Sequence, residues 1–192
     1  MGLPILILGL VVFFAAHGFV TMRQARADAI ARLGQYGYRA VFSLVSIVGL
    51  ALIVWGYAQY HGRTPQIWSP PAFMRHITVG VMLFAVIFFT AAFIPSHIRT
   101  KLRHPMLAGV KTWALAHLLV NGDLASILTF GAFLAWGVYA RIAAKRRGDA
   151  GTTAAPAGWI NDILVVIIGI LIYLALGFVF HPKVIGVQVF GG

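Results

Sequence analysis

Six apolar runs dominate the chain, at residues 3–22, 40–60, 77–94, 106–120, 124–139 and 160–180. A bilayer core is crossed by about 20 apolar residues in helical form, and every backbone polar group inside it has to be satisfied within the spanning segment. The pattern therefore predicts an all-α fold, a polytopic membrane helical bundle of about six transmembrane helices, forming one domain over residues 1–192. The fourth and fifth runs are shorter than a comfortable crossing. Composition excludes the soluble alternative: 60% of the residues are hydrophobic, 10% are charged and the mean hydropathy is +0.90, against about half apolar and about a quarter charged in a soluble domain. The first run has no basic residue before it and five apolar runs after it, so it is expected to be a span and not a cleaved signal segment.

The formal charge is +11. In a soluble chain this would suggest nucleic acid; here the basic residues sit in short loops, which is where membrane proteins carry their orientation signal. Arg23, Arg26, Arg32 and Arg39 follow the first run, Arg99, Lys101 and Arg103 the third, and Arg141, Lys145, Arg146 and Arg147 the fifth. The alternate loops and the tail hold only Arg63, Arg75 and Lys183, and Lys111 lies in the fourth run. The bias predicts that both termini face outward, and it favours an even number of spans independently of hydropathy.

The loops carry their own signals. Met22, Ala25, Ala29, Ile30 and Leu33 recur at helical spacing opposite Arg23, Arg26 and Arg32, which predicts a basic amphipathic continuation of the first helix, ending near Gly34 on the inner membrane surface. Ser69-Pro70-Pro71 reads as a helix start, with Ser69 as cap and Pro70 in first position. Asn121-Gly122-Asp123 reads as a tight turn, with Asp123 capping the fifth helix and the fourth and fifth forming an antiparallel hairpin. Residues 148–158 are small and rich in Ala and Thr and read as a mobile linker; residues 184–190 alternate apolar positions and read as a short strand or a disordered tail.

Ionisable groups inside hydrocarbon are costly and mark function. All four acids are aspartates (Asp28, Asp123, Asp149, Asp162), and none lies well inside a span, which argues against an ion-coupled transporter. With no cysteine, thiolate ligation and cysteine nucleophiles are excluded. Of seven histidines, His61, His76 and His181 fall at outer ends and His97 and His104 in a basic inner loop; only His17 and His117 lie clearly inside apolar runs. Neutral imidazole ligates haem iron, and two from different helices clamp a porphyrin. Ala15, Ala16 and Gly18 around His17, with Ala114 and Ala116 around His117, leave space for a flat guest, and the basic inner loops offer Arg23, Arg99, Lys101 and Arg103 to its propionates. The bland alternative is a histidine bonded to a neighbouring helix. By depth, His17 lies ~7.5 Å from the inner end of its run and His117 ~16 Å beyond the start of its own, so one shared porphyrin requires tilted helices or other helix limits. Arg103-His104-Pro105, with Pro105 opening the fourth helix, forms a second cluster suited to an anion at a helix N-terminus. Its bland alternative is a basic flank beside a helix start.

Ala16-His17-Gly18 with Arg23 after it, and the stretch from Arg103-His104-Pro105 through Trp113 and Ala116-His117 to Asn121-Gly122-Asp123, together resemble the NnrU family of bacterial membrane proteins over nearly the whole chain. The resemblance implies an inner-membrane, multi-pass protein with periplasmic termini, linked to denitrification and nitric oxide metabolism. The family is related to the haem b enzyme 15-cis-zeta-carotene isomerase, whose two haem-ligating histidines correspond to His17 and His117. The resemblance implies haem b on that pair, with Arg23, Arg103, His104, Trp113 and Asn121 as further cofactor-binding candidates, and a lipophilic substrate or nitric oxide as partner besides the lipid bilayer. Nucleic acid is not among the expected partners. Where the isomerase has a cysteine shortly before its second histidine, this chain has Ala114, so an exchange to a thiolate ligand is not expected. Arg103-His104-Pro105 also resembles the isoprenylcysteine carboxyl methyltransferase class, which binds S-adenosylmethionine, though Leu107 stands where that class has Tyr and no glutamate is present to hold the cofactor. A non-enzymatic maturation factor for a respiratory complex is the third reading.

Overall fold

A computed structural model describes residues 2–153 and 158–190. It is helical, with α1 at Gly2–Phe19, α2 at Arg23–Tyr60, α3 at Met74–Ala91, α4 at His97–Leu102, α5 at Pro105–Leu118, α6 at Leu124–Arg146 and α7 at Trp159–Ala175, the last continuing as a π-helix over Leu176–Ile185. Among the described residues the only β pairing is an isolated bridge between Gln66 and Asp123. Five helices, α1, α2, α3, α6 and α7 with its extension, are long and apolar enough to cross a membrane. The fourth apolar run becomes α5, which at 14 residues is only about 21 Å long. Large apolar side chains such as Ile163, Ile167, Leu171 and Phe178 are exposed along α7, as a lipid-facing helix requires.

The contacts divide the chain into two compact units: residues 1–69 with 121–132, and residues 70–120 with 133–192. In the first, α1 and α2 pack antiparallel through glycines. A side-chain carbon on Gly9 would lie 2.5 Å from the Ile53 backbone, one on Gly49 2.8 Å from Phe13, and one on Gly2 2.7 Å from Tyr60. Gly56 presses equally on the backbone of Leu6. Each pair obeys one antiparallel register, and Gly2/Gly9 and Gly49/Gly56 are both spaced by a heptad, the small-residue packing that lets membrane helices approach closely.

The amphipathic segment is helical as expected but belongs to α2. A break at Val20–Met22, where Thr21 and Met22 bond back to Gly18 and Phe19, separates it from α1. Gly34, at φ 72° and ψ 164°, kinks α2 where the segment was expected to end. Arg23, Arg26 and Arg32 are exposed while Ala25, Ala29 and Ile30 are half-buried.

Two boundaries differ from expectation. Ser69-Pro70 does not start α3: the Met74, Arg75 and His76 amides bond to Pro71, Ala72 and Phe73, so a turn intervenes and the helix begins four residues later, at Met74. The tail is not a strand. Residues after Ile185 fold back, so that Phe190 packs on Phe178 and Tyr173 at ring separations of 4.6 and 5.4 Å, and Arg75 donates to the Gln188 and Val189 carbonyls. Residues 154–157 of the small linker lie outside the described residues; its first part, 148–153, is tied down by bonds from Asp149 N–H to Ala144 and from Thr152 N–H to Arg103.

The Asn121-Gly122-Asp123 turn has the expected cap, with Asp123 Oδ1 accepting from Ser126 N–H at 3.1 Å. It also has a partner that the sequence did not suggest. Gly122 O accepts from Ile67 and Trp68, and Leu124 N–H and Ala125 N–H donate to Pro65 O and Thr64 Oγ1. In the second unit, α5 runs antiparallel to the later part of α6, with Lys111 against Gly137 and Trp113 edge-on to Phe133 at 5.3 Å. Lys111 thus lays its stem on a glycine, as a snorkelling lysine does.

Candidate functional site

His17 occupies the last turn of α1. Its Nδ1 lies 2.8 Å from the Phe13 carbonyl. A carbonyl only accepts, so Nδ1 carries the hydrogen and, in the neutral ring, Nε2 carries the lone pair. The ring stacks on Phe13 at 4.0 Å and 22°, with Phe42 of α2 at 5.2 Å. The spacing that places Phe13 one turn before His17 supplies both the carbonyl and the aromatic face.

His117 repeats this arrangement in the last turn of α5. Its Nδ1 lies 2.9 Å from the Trp113 carbonyl, and the indole of Trp113 flanks it at 5.2 Å. Ala114 and Ala116 beside it are fully buried, and Thr78 Oγ1 of α3 donates to Ala116 O at 3.2 Å, holding α5 to α3. The sequence did not suggest that the His181 ring would stand 6.4 Å from His117. The π-helical winding after Ala175 is what brings it there, with His181 Nδ1 on the Leu176 carbonyl five residues back.

Arg103 and His104 come together with Arg99 around a cavity of about 320 Å³ at the start of α5. Arg23 is exposed at the start of α2, and Asn121 is half-buried in the turn before α6. The structure groups His17 with Phe13 and Phe42, His117 with Trp113 and His181, and Arg103 with His104. His17, Arg23 and Asn121 belong to the first unit, and Arg103, His104, Trp113 and His117 to the second.

The remaining histidines include two acid–base pairs. His97 Nδ1 is 2.6 Å from Asp162 Oδ2, whose Oδ1 accepts from Ile98 N–H at 2.9 Å, and the His97 ring stacks on Trp159 at 4.5 Å. His61 Nδ1 is 3.5 Å from Asp123 Oδ1. Burial pushes the Asp123 carboxyl up, but the Ser126 hydroxyl and N–H together with His61 outweigh it and hold it below the usual carboxylate value. Among the described residues no three or more His, Cys, Asp or Glu side chains gather as a metal-binding group.

The NnrU protein family model matches residues 5–189, nearly the entire chain. The chain belongs to the NnrU family. No curated protein and no solved structure matches it. The family match spans α1 through the folded-back tail, so His17, His117 and the α4–α5 junction all lie on the shared framework of NnrU chains. What the sequence reading missed in this NnrU protein are His181 beside His117 and the 149–152 loop beside Arg103. The first depends on π-helical winding and the second on a loop closing across some 45 residues, and neither leaves a periodic signal in the sequence.

Proposed function

We propose that this NnrU protein is a haem b protein of the bacterial inner membrane, with His17 and His117 as the residues that would hold the haem and a role in nitrogen oxide respiration. The observation that carries the reading is the matched setting of the two rings. Each donates Nδ1–H to the carbonyl four residues before it, the outer-sphere bond that fixes a ligating histidine's tautomer and leaves Nε2 as the donor atom. Each also has aromatic neighbours on its own helix, which suit the edge of a porphyrin. Haem held there would supply redox chemistry and a seat for a diatomic gas or a lipophilic polyene. The chain's own residues would hold the ligand nitrogens neutral and oriented. The loop charges support cytoplasmic placement of Arg23, Arg99 and Arg141, hence periplasmic termini.

The test is optical. Protein purified gently after haem-supplemented expression is expected to show a b-type, low-spin spectrum. His17→Ala and His117→Ala should each convert it to a high-spin form or abolish it. A colourless wild-type protein, or a spectrum indifferent to both substitutions, overturns the reading.

A further inference from the structure

Helix α4 ends at an unusual backbone. Arg103 has φ 61° and ψ −45°, the only positive φ of a non-glycine residue among those described, and His104 N–H bonds to Leu102 O at 2.7 Å. That is a γ-turn of the positive-φ kind, rare and strained for a residue with a side chain. Pro105 starts α5 directly after it, so the turn sets Arg103 and His104 at the helix's positive end. From the far side, Thr152 N–H bonds to Arg103 O at 2.7 Å, and Asp149 Oδ1 folds the loop by accepting from Gly151 N–H at 2.9 Å.

The loop and the turn border an open cavity of about 320 Å³, lined by Arg99, Arg103, His104, Asp149, Gly151 and Thr152. Arg99 Nε and His104 Nε2 are shielded from solvent and, among the described residues, have no hydrogen-bond partner. Such buried, unsatisfied nitrogens are rare in a folded protein unless a ligand or ion meets them. Gly151, at φ 72°, lets the loop approach this closely: a side-chain carbon there would meet the Arg103 carbonyl and lie 2.8 Å from His104 Nε2. Two arginines and one aspartate line the cavity, and Oδ1 of that aspartate already accepts from the loop backbone. The balance favours an anion with several acceptor oxygens, which is how guanidinium pairs and helix N-termini recognise phosphate.

We infer that this cavity binds a phosphate group, carried by an anionic phospholipid headgroup or by a soluble phosphate ester. The exposed Met106 at its rim gives it an apolar lip as well as a charged floor. The inference does not depend on haem.

The test uses the full chain. Its thermal midpoint is measured in neutral detergent with inorganic phosphate or with chloride at equal ionic strength, and in phosphatidylcholine nanodiscs with or without phosphatidylglycerol. Phosphate is expected to raise the midpoint by several degrees where chloride does not. A rise with phosphatidylglycerol alone assigns the site to a lipid headgroup; a rise with inorganic phosphate assigns it to a soluble ester. Arg99→Gln and Gly151→Ala should abolish the rise. Arg103→Gly should abolish it too while keeping the baseline midpoint at or above wild type, because glycine accepts the positive φ. That variant separates lost binding from failed folding. The inference is overturned if neither phosphate source raises the midpoint, or if the rise survives Arg99→Gln and Arg103→Gly. It is equally overturned if S-adenosylmethionine displaces phosphate, or if these substitutions alter a haem spectrum while phosphate binding is intact.

Discussion

The two compact units are built by different means. In the first, α1 and α2 meet backbone to backbone through Gly2, Gly9, Gly49 and Gly56. In the second, α3, α5 and α7 are held by side chains reaching to backbone: Thr78 to Ala116 O, Tyr173 to Val79 O, Asn161 to Pro95 O. Close glycine packing gives van der Waals contact with no polar atom to satisfy, whereas side-chain bonds tolerate wider separation and leave room for cavities and buried rings. The second unit is the one that holds the α4–α5 cavity and the His117–His181 pair.

The sharpest way to break this contrast is to put a side chain on a glycine of each kind. Gly56→Leu forces a bulky group into the Leu6 backbone, where helix axes would have to separate. A loss of at least about 3 kcal/mol, the upper range for overpacking, is expected. Gly80, in α3, has open space where its side-chain carbon would lie, so Gly80→Ala is expected to be neutral or to stabilise by about 0.5 kcal/mol through helix propensity. Unfolding of both variants in a mixed-detergent titration measures the difference. Equal effects would mean that the glycine register does not hold α1 to α2.

A smaller effect is expected from the polar device of the second unit. Asp162 accepts from both the His97 ring and Ile98 N–H and is 8% exposed. Asp162→Ala strands two donors at the start of α4 and should lower stability measurably. Asp162→Asn keeps an acceptor for Ile98 and should cost about half as much. Loss of α4, read by hydrogen exchange at Arg99 and Thr100, is expected to accompany the alanine variant, with α1 and α2 unaffected. Exchange rising equally in α1 and α2 would show that the pair acts beyond its own unit.

The spans were legible because hydrocarbon imposes one rule on every residue, and a run of apolar side chains states that rule locally. Asp123 as a cap and the helix break at Gly34 were legible for the same reason, since both act within a few residues. The start of α3 was not: Ser69-Pro70 has helix-start chemistry, but the Gly122 carbonyl takes the amides of Ile67 and Trp68, and the chain stays extended to meet it. Residues 121–125 and 64–68 pair across more than fifty positions, which no local pattern announces. At the site, intramembrane position singled out His17 and His117. His181 was assigned to an outer end, yet the π-helix turns it toward His117. Arg103-His104-Pro105 was readable as a helix start; its strained turn and the Gly151 loop over it were not.

The smallest expected effect concerns the first unit's own His–Asp pair, which is looser than that of the second: 3.5 Å for His61–Asp123 against 2.6 Å for His97–Asp162. Asp123 acts chiefly as the α6 cap, and Asp123→Ala should cost about 1 kcal/mol, the usual value for a lost N-cap. Because the folded carboxyl titrates below its ordinary value, its contribution is fully present above the unfolded value of about 4 and is lost as pH falls through the lower folded value. Wild-type stability should therefore fall more steeply below about pH 4 than that of Asp123→Asn, with the two curves running parallel at neutral pH. Identical acid limbs would mean that Ser126 and His61 do not stabilise the ionised carboxylate, and the corner where residues 64–68 meet 121–125 would then rest on its backbone bonds alone.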